Sequence, residues 1–530
     1  MTGASFPSIL NDVIGPVMRG PSSSHTAASW RIGRYARFVL GEAPRGISIV
    51  FEDQGAFADV FRSQRADAAF IAGAMAIDLE DPAYDLAAQK AAEEGVSVSF
   101  SRAALPGGFD HPNDLDITLT GRNRRVTLRA TSTGGGAVHI KAINGLAVSS
   151  LAASFDIYAF VSPGALSGVL PLLERAAAGV AVADGATPTD LKLLHARFLS
   201  EPPAACLDAL RAIAAEPLFQ APPLLLPKPG ASLYNDAAAA LDFCRARNIS
   251  LGRAGLLCEA ALLGLPEREV DAFMRRRLKI ILNSVRTGFA RQSGMRLLTP
   301  TAQSIYAHAT GQAVLAPGAH LNAATRALAA MQENSAGGLV CAAPTAGSAG
   351  VMPGVLLTLA EDLGRDEDAL LRALWTAGAI GQCFAAVATF AAEVGGCQVE
   401  VGIAGAMAAA ALVEAAGGPP EAAFTAAAMS LQNVLGLVCD PVQGFVELPC
   451  HSRNAAAAAS AFITADMALG GWRNLIPFDE TARAVLAVGN MLPRELRSTA
   501  LGGLAACPAA LALRPLAGGG GCGGCGGCGA

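Results

Sequence analysis

At 530 residues the chain is long enough for two or three domains, each with its own core; charged residues are sparse at 16% and the hydrophobic fraction is 52%. A formal net charge of −5 leaves no basic footprint for nucleic acid, and 5% aromatics leave little with which to stack single strands. Met1 to Pro7 show no positive region leading into an apolar stretch, so no signal peptide is expected, and the twelve cysteines read as thiols and metal ligands of a cytoplasmic protein.

Residues 1–165 read as α/β. Short β-prone segments lie at Ile47 to Phe51, Val96 to Phe100, Leu115 to Leu119 and Val126 to Ala130, the last two flanking a hairpin turn at Gly121-Arg122-Asn123-Arg124. Helical stretches lie between them at Asp67 to Ile77 and Tyr84 to Glu94. After His25, the spacing of Ala28, Ile32, Tyr35 and Val39 predicts one apolar helix face. Residues 166–230 are Ala/Pro-rich, end in Ala221 to Gly230, and read as an interdomain connection.

From 231 to 515 strand signals largely vanish. Leu251 to Leu263, Glu267 to Phe289, Leu321 to Glu333, Ala369 to Ala392, Ile403 to Ala416 and Arg453 to Leu469 suit helices, several apolar all round as in the centre of a bundle. Ala373 to Ala392 is an uncharged run long enough to span a bilayer. Its Ala, Gly and Thr content, its Gln382 and its lack of basic flanks favour a buried helix over a membrane span. Residues 516–530 form a Gly/Cys low-complexity tail. The expected architecture is therefore α+β and multidomain, an N-terminal α/β domain followed by an all-α one.

Four constellations are able to carry chemistry. Gly20-Pro21-Ser22-Ser23-Ser24-His25-Thr26 precedes a helix, offering hydroxyls, backbone N–H groups and a positive dipole end to a carboxylate. A Ser N-cap beside a surface histidine explains the same string equally well. His111-Pro112-Asn113 is followed by Thr131-Ser132-Thr133-Gly134-Gly135-Gly136, whose glycines allow either close approach to a ligand or a mobile turn. Glu333 to Gly338 runs into Ala343-Pro344-Thr345-Ala346-Gly347-Ser348, an anion-binding loop or a site of close helix packing. His139, His195, His308 and His320 have no neighbours that suggest a role.

The fourth constellation is Gly396-Cys397-Gln398, Val438-Cys439-Asp440-Pro441 and Pro449-Cys450-His451, with Ser452-Arg453-Asn454 after it. Spacings of 42 and 11 residues exclude a local paired-cysteine zinc loop. Each cysteine has a Gly or Pro beside it or two residues on (Gly396, Pro441, Pro449), which let the chain turn toward a common point. Three thiolates hold an iron–sulfur cluster while leaving one iron without a protein ligand. Arg453 suits either a bidentate grip on a substrate carboxylate or an ion pair within the bundle.

Together these strings, including Leu435-Gly436-Leu437-Val438-Cys439-Asp440-Pro441-Val442, resemble the iron–sulfur L-serine dehydratases (L-serine ammonia-lyases) in their single-chain form. The resemblance covers about residues 12–165 and 235–507. It implies a β-type domain over 1–165, a helical α-type catalytic domain over 231–515, and a [4Fe–4S] cluster on Cys397, Cys439 and Cys450. It further implies elimination of water from L-serine to give pyruvate and ammonia, with the open iron as Lewis acid. His25 and His111 are placed near the substrate, one of them as general base, with Ser24, Asn113, Thr345 and Arg453 as substrate contacts. A homodimer is implied, with an amino acid as partner and neither nucleic acid nor membrane; the setting would be amino-acid catabolism and gluconeogenesis. Pyridoxal phosphate is not expected: of Lys90, Lys141, Lys192, Lys228 and Lys279, none lies in a Schiff-base setting.

Three departures stand out. Gln64, in Arg62-Ser63-Gln64-Arg65-Ala66-Asp67, occupies a string where many members carry histidine, and Gln64 is no base. The Ser-Gly-Leu-x-Gly-Gly type of string is reduced to Ser293-Gly294 followed by Met-Arg-Leu-Leu. Cys507, Cys522, Cys525 and Cys528 compete for the role of a displaceable ligand on the fourth iron. These departures leave open the same chemistry on L-threonine or L-cysteine, and a non-catalytic serine-binding metalloprotein. No separate regulatory domain is expected after the α/β segment.

Overall fold

Alternation of apolar and polar residues builds a six-stranded sheet in the first part of the chain. The computed structural model describes residues 6–184, 191–311 and 314–516. The strands run in the order Ser97–Ala103, Gly46–Glu52, Asp114–Thr120, Arg125–Gly134, Ala137–Ile143 and Leu146–Ser150. The first two are parallel and the remaining neighbours antiparallel. Ile47, Ile49 and Phe51 point inward with Leu115, Ile117 and Leu119, the period-two pattern of a sheet buried on one face. Across the expected hairpin, Gly121 N–H donates to Arg124 O at 2.8 Å. Helix Ala28–Leu40 lays Ala28, Ile32, Tyr35 and Val39 on this core and packs against helix Ala66–Ala74. The expected helix Tyr84 to Glu94 divides into a 3₁₀ turn, Pro82–Leu86, and a helix, Ala87–Glu93.

The stretch over 166–230 is not a mere connection. Strand Phe155–Val161, helix Leu166–Ala176, strands Gly179–Ala183 and Lys192–Phe198, helix Ala204–Ile213 and strand Phe219–Ala221 form one module. Its sheet is antiparallel, with the fourth strand beside the first, then the third and the second: a split βαβ arrangement. Val169, Leu173, Cys206 and Leu210 turn the two helices onto Ile157, Ala159, Val161, Leu194, Ala196 and Phe198. The Ala/Pro composition hides this because small apolar residues bury well without the bulky periodicity that marks a helix. A folded module therefore stands where a connection was expected. It is tied to helix Ala28–Leu40 by a buried polar network: Asp156 accepts from Tyr35 at 2.8 Å and from Ser150 at 2.5 Å, and pairs with His195 at 2.9 Å.

The remainder is helical. Helix Val401–Ala415 lies at the centre, buried from Val401 through Val413, and packs against helices Val351–Glu361, Glu367–Ala385, Pro420–Gln432 and Cys450–Leu469. A helix surrounded on every side is apolar on every side. The segment Cys397–Ala415 is long and apolar enough to cross a membrane, but 89% of it is buried inside the protein. The run from Ala373 is a buried helix as expected, though it ends at Ala385.

The boundary expected at 165 is crossed at the other end of the chain. Ile9, Leu10, Val13 and Ile14 belong to the helical core. There the Glu259 carboxylate accepts from Ile9 N–H at 2.7 Å and Leu10 N–H at 2.9 Å. Strand Val17–Arg19 then pairs with Leu339–Cys341 and stitches the two parts together.

Candidate active site

The three cysteines arrive from three different elements. Cys397 opens a tight turn just after Gly396; Cys439 lies on an extended loop; Cys450 is the first residue of helix Cys450–Leu469. All three are buried and free. The sulfurs of Cys397 and Cys439 and a carboxylate oxygen of Glu400 lie within 4.8 Å of one another. The Cys450 thiol interacts with the charges of both Cys397 and Glu400. A hydrogen bond from Cys439 holds the Cys397 thiol below its ordinary pKa, whereas Cys439, as the donor, is pushed well up. Burial pushes Cys450 and Glu400 well up, and Cys397 adds to both shifts.

The Cys439 loop is fixed from both sides. Cys439 N–H donates to Leu496 O at 2.9 Å, and its own carbonyl accepts from Ser498 N–H at 2.8 Å. Arg453 Nη2 pairs with Asp440 at 2.9 Å while Nη1 donates to Val438 O at 2.9 Å. Asp440 also accepts from Leu504 N–H at 2.8 Å. Both terminal nitrogens of Arg453 thus hold the Cys439 loop, the ion pair that was one of the two readings of this residue. Its charge, beside Cys397 and Cys450, offsets that of ionised thiols.

Helix Cys450–Leu469 is anchored by Glu447. The Glu447 carboxylate accepts backbone N–H groups from Arg296 at 2.6 Å, Leu297 at 2.8 Å and Leu298 at 2.7 Å. The reduced Ser293-Gly294-Met-Arg-Leu-Leu string therefore wraps a carboxylate three residues ahead of Cys450.

Above the cysteines sits the Ser-Ser-Ser-His turn. Ser22 caps it through the His25 N–H, and the His25 ring stacks on Phe57 with centroids 4.5 Å apart. The ring is fully buried, which pushes its pKa down to about 3. Its Nδ1 lies 3.2 Å from Ser22 Oγ and 3.5 Å from Glu393 Oε1. Asn113 approaches from the turn before strand Asp114–Thr120 and donates its amide to Ser132 O at 3.2 Å. Ser132 in turn donates to Ser24 O at 2.8 Å, so Ser24 enters this network through its backbone. Gly134, at φ +102°, lets strand Arg125–Gly134 end against Ala391, where a Cβ would stand 2.6 Å from the backbone nitrogen.

Thr345 completes the floor. Its hydroxyl meets Ser348 at 3.1 Å and also hydrogen-bonds Glu400. Asn334 donates to both Pro21 O and Ala346 O at 2.9 Å, locking the Ser-Ser-Ser-His and Pro-Thr-Ala-Gly-Ser strings to each other. Asn454 ties the second of these strings to the cysteine helix, donating to Gly347 O and to Cys450 O, each at 2.9 Å.

The structure thus brings together Cys397, Cys439, Cys450, Thr345, His25 and Asn113, with Ser24 at the edge. His111 is only partly buried; its Nδ1 accepts from Asn113 N–H at 3.1 Å within its own turn, and burial pushes it down to about 4. Gln64 is buried and accepts the Thr26 hydroxyl through its carbonyl at 3.1 Å. Cys507 is exposed, its sulfur 3.8 Å from Gly503 O. Cys522, Cys525 and Cys528 lie outside the described residues. Glu393, Glu400, Glu447 and Asp440 were not foreseen as site residues. A signal did exist, because Glu393 and Glu400 are the only charged residues between Arg372 and Glu414.

Residues 139–505 match the family model of the serine dehydratase alpha chain. Over 188 residues the chain is 51% identical to the probable L-serine dehydratase alpha chain of Bacillus subtilis, covering 36% of this chain and 63% of that protein. It is 38% identical over 279 residues to the L-serine dehydratase alpha chain of Peptoniphilus asaccharolyticus, covering 52% of this chain and 94% of that one. Against L-serine dehydratase 1 of Escherichia coli it is 40% identical over 183 residues, 34% of this chain and 40% of that one. The chain belongs to the serine dehydratase alpha chain family.

Proposed function

We propose that the protein is an L-serine ammonia-lyase that eliminates water from L-serine through a [4Fe–4S] cluster on Cys397, Cys439 and Cys450. The observation that carries this reading is the convergence of three buried, unpaired cysteines beneath His25, Asn113 and Thr345. Their donor chemistry fits such a cluster: soft thiolates, the Arg453 cation beside them, and no fourth cysteine within the described site. When bound, a cluster with three protein ligands supplies a Lewis-acidic iron for the departing hydroxyl.

The rest is the work of side chains. Burial keeps the His25 imidazole neutral, and its Nε2 faces the interior without a hydrogen-bond partner, so it is the better placed of the two histidines to take the α-proton. Ser22 and Glu393 at Nδ1 set its tautomer. As the Cα–H bond breaks, its electron pair forms the Cα–Cβ double bond and the Cβ–O bond breaks. Glu400, pushed well up by burial and placed beside the Cys397 and Cys439 sulfurs, would give the departing hydroxyl its proton. The released 2-aminoacrylate tautomerises to the imine and hydrolyses to pyruvate and ammonia. Asn334 and Asn454 hold the loops of the site to one another and to the start of the Cys450 helix.

The α-type catalytic part spans the helical residues, and the six-stranded sheet is its fused β-type partner, supplying His25 and Asn113. A homodimer in the cytoplasm, degrading serine, completes the reading. The test is anaerobic purification with iron and sulfide analysis, followed by pyruvate measurement from L-serine. Near four irons per chain with pyruvate release is expected; an iron-free, air-stable, zinc-binding protein would overturn it.

A further inference from the structure

We propose that Glu393, together with Asn113, is the receptor for the α-ammonium group of the substrate, an inference that rests on the amino-acid lyase reading above. Glu393 lies on the short helix Ala392–Gly395, one turn before Cys397, and is 4% exposed. Among the described residues it has no Lys or Arg partner; its nearest basic atom is His25 Nδ1, at 3.5 Å. Its Oε2 has no hydrogen-bond partner at all. A buried carboxylate without a counter-ion is strongly disfavoured unless a ligand brings one.

The two side chains that adjoin Glu393 each carry an orphaned atom as well, Asn113 Oδ1 and His25 Nε2, and both are fully buried. The Asn113 orientation is fixed, because Ser132 O only accepts and must face the amide nitrogen, leaving Oδ1 as the free atom. The Asn113 amide also reaches the Glu393 carboxylate, so the two side chains adjoin.

The hydrogen-bond balance selects the ligand group. A carboxylate or a departing hydroxyl needs donors, and this corner offers surplus acceptors. An ammonium has three donors and no acceptor, and brings the missing positive charge. Glu393 Oε2 and Asn113 Oδ1 take two of its hydrogens. The site would then discriminate amino acids from hydroxy acids by charge, since a hydroxyl in place of the ammonium leaves Glu393 uncompensated.

The probe is L-glycerate, which replaces the ammonium of L-serine by hydroxyl, used as a competitive inhibitor of the iron-loaded enzyme. For Glu393→Gln we expect the KM for L-serine to rise about 100-fold, as for loss of a buried charge pair. The inhibition constant of L-glycerate should stay within about threefold, with iron content and visible spectrum unchanged. Equal changes for both ligands, or a serine KM within about threefold of wild type, would overturn the inference. Should Glu393→Gln not retain iron, Asn113→Leu carries the same test: the serine-to-glycerate preference should fall at least about tenfold, and an unchanged preference overturns the inference. A wild-type protein that makes no pyruvate would instead sink the lyase reading itself.

Discussion

Glu447 Oε1 accepts the backbone N–H of Arg296 at 2.6 Å, so a loop of the helical body hangs on a carboxylate three residues from Cys450. With Leu297 and Leu298 on Oε2, one buried side chain satisfies three main-chain donors. In Glu447→Ala all three lose their acceptor, at about 1–3 kcal/mol each where water does not replace it. The start of helix Cys450–Leu469 loses its tether at the same time. Iron and sulfide per chain after anaerobic reconstitution should fall to well under half of wild type, with Glu447→Gln intermediate. Full iron loading in Glu447→Ala would show that Cys450 is held by other means.

Asn334 bridges Pro21 O and Ala346 O, beside a weaker link from Ala346 N–H to Ser23 Oγ at 3.3 Å. Gly20 is packed so closely on Asn334 that a Cβ would run into its carbonyl. In Asn334→Ala two buried carbonyls lose their donors, a loss of about 2–4 kcal/mol. Urea unfolding should report that loss, and kcat/KM for L-serine should drop about tenfold or more because His25 and Thr345 no longer hold their separation. An unchanged kcat/KM would place the alignment of the two loops elsewhere.

Much of this was legible in residue order and some was not. The strands at Ile47 to Phe51 and Leu115 to Leu119 announced themselves by alternation, and Leu251–Leu263 by its length and its flanking Ser250 and Gly264. Cys397, Cys439 and Cys450 were visible through their surrounding strings and through spacings too wide for a local zinc loop. Residues 166–230 read as a connection because Ala, Val and Leu in short runs pack without a bulky period, and Pro171 sits inside a helix. Glu393 and Glu400 drew no notice as single acids, yet two charges in forty uncharged residues are expensive to bury and therefore informative. Arg453 was ambiguous in principle: only the fold shows that Asp440 reaches it first.

Asp156 is the hub of the module's buried network, with Tyr35, Ser150, Ser154 and His195 all directed at its two oxygens. Removing one partner of such a cluster leaves the others desolvated and unpaired, typically about 3–5 kcal/mol. Asp156→Ala should lower stability by that order in urea unfolding. Because the module contributes none of the residues around the cysteines, iron content should be retained. Loss of iron in this variant would tie the module to the site more tightly than its contacts indicate.

Burial depresses His25 to about 3 and His111 to about 4, against an ordinary 6.5. Between those values and 6.5 the unfolded chain binds protons that the folded chain refuses. Their contribution to stability is therefore complete above pH 6.5 and is lost as pH falls toward 4. The slope is about 1.4 kcal/mol per pH unit from His25, and less from the partly exposed His111. Buried carboxyls whose pKa is raised, Glu259, Glu393 and Glu400, act in the opposite sense, so the histidine share is read as a difference. From pH 7 to 5, His25→Asn should lose less stability than wild type, with His111→Asn between them. Parallel curves for all three would refute the assignment.

Cys507 is exposed, and its sulfur rests on Gly503 O, outside the buried group of Cys397, Glu400 and Cys439. Its segment nonetheless runs beside the site, since Leu504 N–H is held by Asp440. Two roles are thereby separable: the backbone of 503–506 steadies the Cys439 loop, while the thiol points away. Cys507→Ser should leave iron content, resting spectrum and kcat/KM within about twofold of wild type, as for other exposed substitutions. Gly503→Val should not, because that glycine sits at φ +60° with its Cα against the Asp440 carboxylate, and a β-branched side chain fits neither. If Cys507→Ser altered the resting spectrum while Gly503→Val did not, the thiol would be reaching the metal centre in solution, and the assignment of this segment to a purely structural role would fail.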